Sequence, residues 1–270
     1  TVLEDIELAL LLEGIYRTRG DDFRSHEAAA LKPKLHAFMA ERGLATLSAL
    51  QERALHDTAT GDALVLALYT RHTVMFEHAP YQSALRTVAR DLRSWPVPNV
   101  WLPECTSAED VFSLAILLEE EGLYEKSRIF VTHANHQMLS RAMCGRFPAE
   151  LMPTYEDNYR RAGGKASLAS YCERHEDAFT ISPSLRRNIV WAQSDLASDA
   201  SFNEFQLVLC QGAMREFGHA LRRRSLRVFD DSLSAFGILS IDPESEPELS
   251  MVASRYKPIE PSLGLYRRLG

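Results

Sequence analysis

The sequence has few cysteines and no long hydrophobic run. Its 270 residues include four cysteines, Cys105, Cys144, Cys172 and Cys210, none of them in a C-x-x-C spacing. This usage predicts reduced, mostly buried thiols in a cytosolic protein. No apolar run approaches the roughly 18 residues of a membrane span, and the first five residues do not resemble a signal peptide. We therefore expect a cytoplasmic protein that does not insert into a membrane.

An excess of positive charge is also missing. The formal net charge is −7, which argues against sequence-independent binding of nucleic acid, because that binding needs a basic face. The basic run at residues 222–224 is typical of a solvated helix face, and so is the acidic run at residues 119–121. His133 and His136 lie three residues apart without an accompanying cysteine or carboxylate cluster. They therefore predict a solvated loop pair and no metal site.

Glycine is missing where it would matter most. Residues 99–118 form a short apolar run, a polar turn and an amphipathic run, the pattern of a strand, loop and helix in a nucleotide-binding α/β unit. Thr106 and Glu109 have the spacing of a capping box. A cofactor loop at this position needs glycine for unusual backbone dihedrals and close ligand approach, yet none occurs between Asn99 and Glu121. Cys105 in this loop is interpreted as a packing residue and not as a reactive thiol.

The remaining pattern predicts an α/β protein with a helical start. Residues 1–94 are predicted to form a small N-terminal helical domain, and residues 95–98 a Pro-containing linker. Residues 99–270 then alternate strands and helices, which indicates a doubly wound, mostly parallel, Rossmann-like sheet with a long insertion at about 145–187. The predicted strands are 100–102, 129–132, 189–192, 205–210 and 236–241, with 254–258 and 265–267 as a closing antiparallel pair.

Several segments together resemble the CheR-type methyltransferases, which use S-adenosylmethionine to methylate glutamates of bacterial chemoreceptors. The resemblance covers nearly the whole chain, and it implies a methyltransferase domain for residues 99–270. Gly-Asp-Asp-Phe-Arg at 20–24 is similar to the family's G-x-D-F-R segment, and Thr-Val-Met-Phe at 73–76 to its T-x-M-F-R segment. The other matching segments are 112–118, 156–159, 163–165, 185–188 and 201–205.

The residues that the family uses for its cofactor are mostly replaced. Glu104 and Ala108 stand where the family has the two loop glycines, and only Glu109 survives there. His133 replaces the aspartate that holds the ribose hydroxyls. Glu77 replaces the arginine that faces the cofactor's carboxylate, so that like charges would meet.

The remaining positions of the family's site are divided between kept and replaced residues. Asp195 replaces an asparagine near the adenine, beside the unchanged Leu196, and Thr73 is also kept. After the fourth strand, Gly212 and Glu216 stand where the family has an asparagine and a tyrosine near the transferring methyl group. Arg71 occupies a position where asparagine is usual. The resemblance therefore indicates a degenerate site, with no catalytic residue assigned.

These replacements predict a pseudoenzyme: a CheR-type domain that does not bind S-adenosylmethionine normally and binds a protein partner in bacterial signalling, such as chemotaxis. One alternative is an active S-adenosylmethionine-dependent protein-glutamate O-methyltransferase that retains S-adenosylmethionine and S-adenosylhomocysteine. Another is a cleft remodelled for a different small molecule or nucleotide. In the family, a basic helix of the first domain docks on receptor helices. The matching helix here keeps Lys32, Lys34 and His36 as candidate partner-binding residues but includes Pro33.

Overall fold

The computed structural model describes residues 1–201 and 203–270. Phe202, part of the matching segment at 201–205, lies outside the described residues. The chain divides into two compact units, the first made of Thr1–Thr70 and Arg215–Arg223 and the second of Arg71–Met214 and Arg224–Gly270. Residues 71–94 thus group with the second unit, whereas the sequence predicts that they belong to the helical domain that ends before the linker at 95–98. The domain bounds given from the sequence stay a prediction. Among the helices described, none is long and apolar enough to cross a membrane.

The first unit is built mainly from helices. Thr1 caps the first of them by accepting a hydrogen bond from the Glu4 amide in a capping box, and Gly20 ends it with a φ of 82°. Leu11 and Ile15 of this helix are buried, which provides the apolar stripe that a helix needs to pack. The four helices are α1 (Val2–Arg19), α2 (Ala28–Arg42), α3 (Leu47–His56) and α4 (Thr58–Tyr69).

The second unit is organised around a seven-stranded sheet. Its strands in chain order are β1 (Asn99–Leu102), β2 (Arg128–His133), β6 (Ile189–Gln193), β7 (Phe205–Cys210), β8 (Leu233–Ile241), β9 (Tyr256–Glu260) and β10 (Leu265–Arg268). The spatial order is β6-β2-β1-β7-β8-β10-β9. The first five of these strands pair in parallel, and β10 pairs antiparallel with β8 and β9. The predicted Rossmann-like, mostly parallel sheet is confirmed.

Helices of the second unit cover this sheet. β1 is buried because Trp101 stacks on Phe205, with ring centroids 5.0 Å apart, and its indole donates to the Thr132 hydroxyl at 2.9 Å. Every residue of β7 is buried, as expected for a central strand covered on both faces. The helices are α5 (Ala79–Ala89), α6 (Ala108–Glu120), α7 (His136–Cys144), α8 (Met152–Arg161), α9 (His219–Ser232) and α10 (Glu246–Leu249), α9 starting within the first unit.

The long connection between β2 and β6 contains its own small sheet. β3 (Arg146–Pro148), β4 (Cys172–Arg174) and β5 (Ala178–Ile181) pair antiparallel in the order β3-β5-β4. Phe147 stacks on Phe179 with ring centroids 5.3 Å apart, which gives this sheet an apolar face.

The start of α6 differs from the sequence prediction. Ser107 is the N-cap, and its side chain accepts a hydrogen bond from the Asp110 amide at 3.2 Å. The predicted capping box of Thr106 and Glu109 is therefore wrong by one residue. Both registers put a hydroxyl three residues before an acid, so spacing alone does not distinguish them.

The acidic run at 119–121, predicted to be solvated, is exposed only at Glu119. Glu120 and Glu121 have side chains only 2% exposed, because Arg86, Arg90 and Lys165 bind their carboxylates. Arg86 lies 2.6 Å from Glu120 through Nη1, and both side chains are buried.

The basic run at 222–224 is only partly solvated. Arg222 donates to Glu27 at 2.9 Å within the first unit. Arg224 donates to the main-chain oxygens of Leu196 and Asp199 within the second. Of the three arginines, Arg223 is the exposed one.

Candidate functional site

The candidate site lies at the carboxyl edge of the parallel sheet. In open α/β sheets, ligands bind beyond the carboxyl ends of the strands, where the loops that leave them converge. The loops after β1, β2, β6 and β7 carry most of the residues selected from the sequence. Within the second unit the structure therefore brings Glu104, His133, Leu196 and Gly212 to one edge.

Glu104 has the backbone conformation of the glycine that the resemblance expects. Its φ is 50°, in the left-handed region that glycine adopts freely and other residues seldom do. Its main-chain oxygen accepts a hydrogen bond from Arg71 Nη2, and the following Cys105 amide donates to the Thr132 oxygen at 3.1 Å. The loop thus has a left-handed backbone at this position, although the residue there is Glu104 and not glycine.

The Glu104 side chain is buried in this loop and points toward neighbouring strand ends. Its Oε2 lies 3.6 Å from His133 Nε2, and the nearby Leu196 amide favours the charged form of the carboxyl and so acts to lower its pKa. Burial, followed by the nearby Asp195 carboxylate, raises the pKa of Glu104 from 4.5 to about 8, against the opposing effect of Arg71. The Glu104 carboxyl is therefore mostly protonated at neutral pH.

His133 ends β2 as a fully buried residue, so the prediction of a solvated loop pair is wrong for it. Its Nδ1 accepts a hydrogen bond from the Asn135 amide at 2.8 Å. An accepting Nδ1 in a neutral imidazole leaves the hydrogen on Nε2, the atom that faces Glu104. His136, by contrast, is exposed at the start of α7.

Glu109, the loop acid that the resemblance retains, is bound by protein groups through both oxygens. Ser107 donates to Oε2 at 3.1 Å, and the Tyr155 hydroxyl donates to Oε1 at 3.0 Å. Thr73, also retained, donates in turn to the Ser107 hydroxyl. The two retained polar residues thus belong to one hydrogen-bonded chain at the start of α6, beside Ala108.

The Asp195–Leu196 pair forms a tight turn after β6. The Asp195 carboxylate accepts from the Ala197 amide at 2.8 Å, while Leu196 is buried. Both residues lie close to Glu104. Their role at the adenine stays a prediction. The Asp195 carboxylate raises the pKa of Glu104 and the Leu196 amide acts to lower it.

Gly212, after β7, is held by an aspartate that sequence reasoning missed. Its φ is 86°, and its amide donates to Asp242 Oδ1 at 2.8 Å. Asp242 is fully buried directly after β8. The sequence does contain a signal for Asp242, because it is an acid directly after a predicted parallel strand. Residues at that position lie at the carboxyl edge of the sheet, where the other site residues lie.

Two further positions in the family's site have surroundings of their own. Glu77 is exposed in the segment before α5. Glu216 belongs to the first unit, where its carboxylate accepts hydrogen bonds from Lys34 at 2.9 and 3.0 Å. Lys34 also donates to the Leu68 oxygen at 2.8 Å, so this candidate partner-binding residue is held within its own unit.

The other two candidate partner-binding residues also contact acids of the first unit. Lys32 donates to Asp5 at 2.7 Å and to Glu4 at 3.3 Å, and His36 lies 3.0 Å from Glu4. The three candidates share helix α2, with Pro33 inside it. The charges of Lys32 and Lys34 are therefore balanced locally by carboxylates.

A small cavity of about 60 Å³ opens beside Glu104 in the second unit. The leucines of β1, α6 and β7 line its apolar side. Its polar lining comes from Arg71, Tyr81, Gln82, Glu104, Asp110 and Gln211. Gln211 is fixed, since its Nε2 lies 2.7–3.2 Å from acceptors on Ser240, Ile241 and Leu263.

The cysteines are unpaired by disulfides, and they differ in burial. All four cysteines are free; Cys105 and Cys210 are buried, while Cys144 is exposed. Burial raises the pKa of the Cys105 thiol to about 12, which agrees with a packing role. In residues 1–201 and 203–270, no group of three or more His, Cys, Asp or Glu side chains could hold a metal ion.

Comparison with known proteins gives a consistent set of matches. Residues 69–248 match the family described as "CheR methyltransferase, SAM binding domain". "Putative methyltransferase Cher3" of Pseudomonas putida is 36% identical over 265 residues, which cover 98% of this chain and 97% of that protein. A "Chemotaxis protein methyltransferase" of Listeria monocytogenes is 21% identical over 232 residues, or 84% of this chain and 85% of that one.

Among solved structures, one match is the N-methyltransferase NodS of Bradyrhizobium japonicum in complex with S-adenosyl-L-homocysteine. It is 12% identical, with a TM-score of 0.40, and the match covers 72% of this chain and 90% of NodS.

Proposed function

Because this chain belongs to the CheR methyltransferase family, we propose that it is a member whose cofactor site is closed by its own side chains. In this proposal the domain does not bind S-adenosylmethionine at cellular concentrations. It acts instead in the cytoplasm as a protein-binding, regulatory module of a bacterial signalling pathway. The family match by itself favours cofactor binding, so the proposal depends on the geometry of the loops.

The observation that carries the proposal is the position of the Glu104 side chain. Its Oε2 lies 3.6 Å from His133 Nε2, and its carboxyl lies near the Leu196 amide, at positions that the resemblance assigns to the ribose and the adenine of the cofactor. A ligand that entered there would have to displace a buried carboxyl from this position. We infer that Glu104 takes the place of the cofactor's nucleoside.

The loop backbone supports the same conclusion. Glycine at a cofactor loop leaves the main chain accessible to a ligand, whereas Glu104 adds a side chain at a φ of 50°. Buried His133 offers at most one acceptor atom, and that atom already accepts a hydrogen bond from the Asn135 amide. The aspartate that the family has at this position would offer two carboxylate oxygens to the ribose hydroxyls. The residues present therefore do not fit S-adenosylmethionine.

The expected loss of affinity is large. Each missing hydrogen bond, ion pair or backbone clearance costs about 1–3 kcal/mol. Two or three such losses together raise the Kd by several powers of ten, since each 1.4 kcal/mol of lost binding free energy raises it about tenfold. Exposed Glu77 adds a repulsive charge where the family pairs the cofactor's carboxylate with arginine.

An active protein-glutamate methyltransferase is the second candidate. It is favoured by retained Thr73, Glu109 and Leu196 and by the family's description as a SAM-binding domain. Against it, both oxygens of Glu109 already accept hydrogen bonds from Ser107 and Tyr155.

Transfer of a tritiated methyl group distinguishes the two candidates. The substrate is a chemoreceptor fragment that an active CheR-type enzyme labels in a parallel reaction. We expect no label above the protein-free blank with this chain, at any concentration of S-adenosylmethionine up to about 1 mM. Label that increases with the amount of this protein would contradict the proposal and establish the second candidate.

A further inference from the structure

Helix α1 is apolar on two opposite faces. One face supplies Leu11 and Ile15 to the core of the first unit. On the other face Leu3, Ile6 and Leu10 stay more than half exposed, at 66%, 53% and 55%. A surface helix normally carries charged and polar side chains on the face that it turns to water. The second face of α1 is therefore an apolar surface open to solvent.

The apolar surface extends beyond these three residues. Val2, 79% exposed, lies one turn before Ile6. At the other end Leu55 of α3 is 37% exposed and lies against Gly14, with its Cδ2 3.2 Å from where a Cβ would lie. Gly14 comes one turn after Leu10, so Leu55 continues the same surface. A contiguous exposed apolar patch is typical of an interaction site. We call this patch the exposed α1 face: Val2, Leu3, Ile6, Leu10 and Leu55.

The spacing along the exposed α1 face is that of a helix which pairs with another helix. Leu3, Ile6 and Leu10 follow one another at three and four residues, and Glu13 and Arg17 continue the same line. Alternating spacings of three and four place side chains in one seam that a second helix can contact along its length. Glu13 and Arg17 pair with each other at 2.6 Å and end the apolar part of the seam. The face therefore fits a helical segment of roughly three turns.

The charges at the two ends of α1 favour a second copy of the same helix running in the opposite direction. The first turn is acidic, with Glu4 and Asp5, and the last turn is basic, with Arg17 and Arg19. Salt bridges within the unit offset part of both charges, yet the side chains of Asp5 and Arg17 remain 62% and 75% exposed. Two antiparallel copies bring each acidic end toward the basic end of the other, whereas two parallel copies bring like charges together. The helix is thus complementary to itself only in the antiparallel arrangement.

We propose that this chain forms a two-fold symmetric dimer in which the exposed α1 faces of two copies pack antiparallel. Ile6 of each copy contacts Leu10 of the other, and Leu3 packs on the alkyl part of Glu13. A two-fold axis uses the same patch on both copies, as is usual in homodimers. A stable interface buries roughly 800 Å² on each partner, and five partly exposed side chains cover less than that, so the dimer is weak. This inference does not depend on whether S-adenosylmethionine binds.

Sedimentation velocity of the unmodified chain tests the proposal. Over a range from about 5 μM to about 0.6 mM protein, we expect the monomer to give way to a dimer with a Kd on the order of 100 μM. A monomer at every concentration would overturn the proposal.

Charged substitutions locate the contact. Ile6→Glu and Leu10→Glu should each raise the Kd at least tenfold, because each places a charge at the centre of the apolar seam. Both side chains are largely exposed in the single chain, so the fold does not depend on their burial. Val97→Glu, a change at a residue that is 52% exposed in the second unit, is the matched control and should keep the Kd of the unmodified protein. A dimer that forms equally well with both α1 variants would overturn α1 as its contact.

Engineered cysteines test the direction of the helices without removing the apolar face. The background is Cys144→Ser, which removes the exposed thiol. Antiparallel packing brings Ile6→Cys of one copy beside Leu10→Cys of the other, within the distance that a disulfide spans. A mixture of the two variants should therefore form the mixed disulfide, identified by its mass, faster than either variant links to itself. Faster self-linking of Ile6→Cys would indicate parallel helices and overturn the proposed arrangement.

Discussion

At the scale of single residues, Glu104 combines two costly features. A non-glycine residue in the left-handed region costs on the order of 1–2 kcal/mol, and a buried carboxyl must be neutral or paired. The surrounding structure compensates through the hydrogen bond from Arg71 to the main-chain oxygen, and burial raises the pKa of the carboxyl so that it is mostly neutral. Such strain persists only where neighbours determine the conformation, which is consistent with a side chain that closes the site.

The raised pKa of Glu104 predicts how stability depends on pH. Between pH 4.5 and about 8 the folded protein holds a proton that the unfolded chain has released. The stabilisation from this group is therefore complete below pH 4.5 and is lost as pH rises to about 8. In that window the group lowers the free energy of unfolding by up to about 1.4 kcal/mol per pH unit. Urea unfolding across pH 5–9 should show that Glu104→Gln loses this dependence.

Glu52→Gln, an exposed change on α3, is the matched control and should keep the pH dependence of the unmodified protein. Identical profiles for Glu104→Gln and the unmodified chain would contradict a buried, protonated Glu104.

The residue-scale errors share a physical reason. The sequence indicated that Glu104 and His133 replace cofactor residues, yet it gave no sign that they lie 3.6 Å apart. Their contact depends on where β1 and β2 end in space. Burial of His133 likewise follows from tertiary packing, which a short polar segment does not reveal.

At the scale of elements, the prediction worked best where apolar runs have clear limits. β7 (Phe205–Cys210) has the predicted bounds. β2 extends one residue beyond the predicted strand at both ends, and β6 extends one residue beyond it at the carboxyl end. β8 starts three residues earlier than predicted, where Phe236 has a φ of 62° and the pairing with β7 shifts register. Local periodicity cannot anticipate such a bulge.

The acidic end of α6 could not be interpreted locally, since its main partner, Arg86, comes 34 residues before Glu120. This buried pair predicts a stability difference between two arginines. Arg86→Met should lower the free energy of unfolding by about 3–5 kcal/mol, because it leaves Glu120 buried without its cation. Arg90→Met is the matched control, because it removes the same charge from a side chain that is 52% exposed. It should lower the free energy of unfolding by at most about 1 kcal/mol.

Equilibrium unfolding in urea measures both variants. A loss of similar size for the two arginines would show that the buried pair of Arg86 and Glu120 does not anchor α5 to α6.

At the scale of the whole molecule, a net charge of −7 works against docking on acidic receptor helices. The basic candidates on α2 do not offset it, since Lys32 and Lys34 already bind acids of their own unit. We therefore expect a receptor methylation-helix peptide to bind more weakly than about 100 μM in a fluorescence anisotropy titration. Lys32→Glu should leave that result unchanged, as should the exposed control Lys257→Glu.

Tight peptide binding that Lys32→Glu or Lys34→Glu abolishes, and Lys257→Glu does not, would restore α2 as a receptor-docking helix. A different protein partner would then no longer be needed.

Reversal of the site should need several changes together. Glu104→Gly with Ala108→Gly restores room in the loop, but Glu77 and His133 still oppose the cofactor's carboxylate and ribose. We expect binding to return only when Glu77→Arg and His133→Asp are added. Turnover should return later, with Gly212→Asn and Glu216→Tyr, because transfer depends on the geometry of donor and acceptor.

We propose that the chain's own side chains close the nucleoside end of the site. Calorimetric titration with S-adenosylmethionine and S-adenosylhomocysteine tests it most directly, on the unmodified protein and on the fourfold variant Glu104→Gly, Ala108→Gly, Glu77→Arg and His133→Asp. We expect no measurable binding to the unmodified protein up to about 1 mM and micromolar binding to the variant. Micromolar binding of either molecule to the unmodified protein would contradict it.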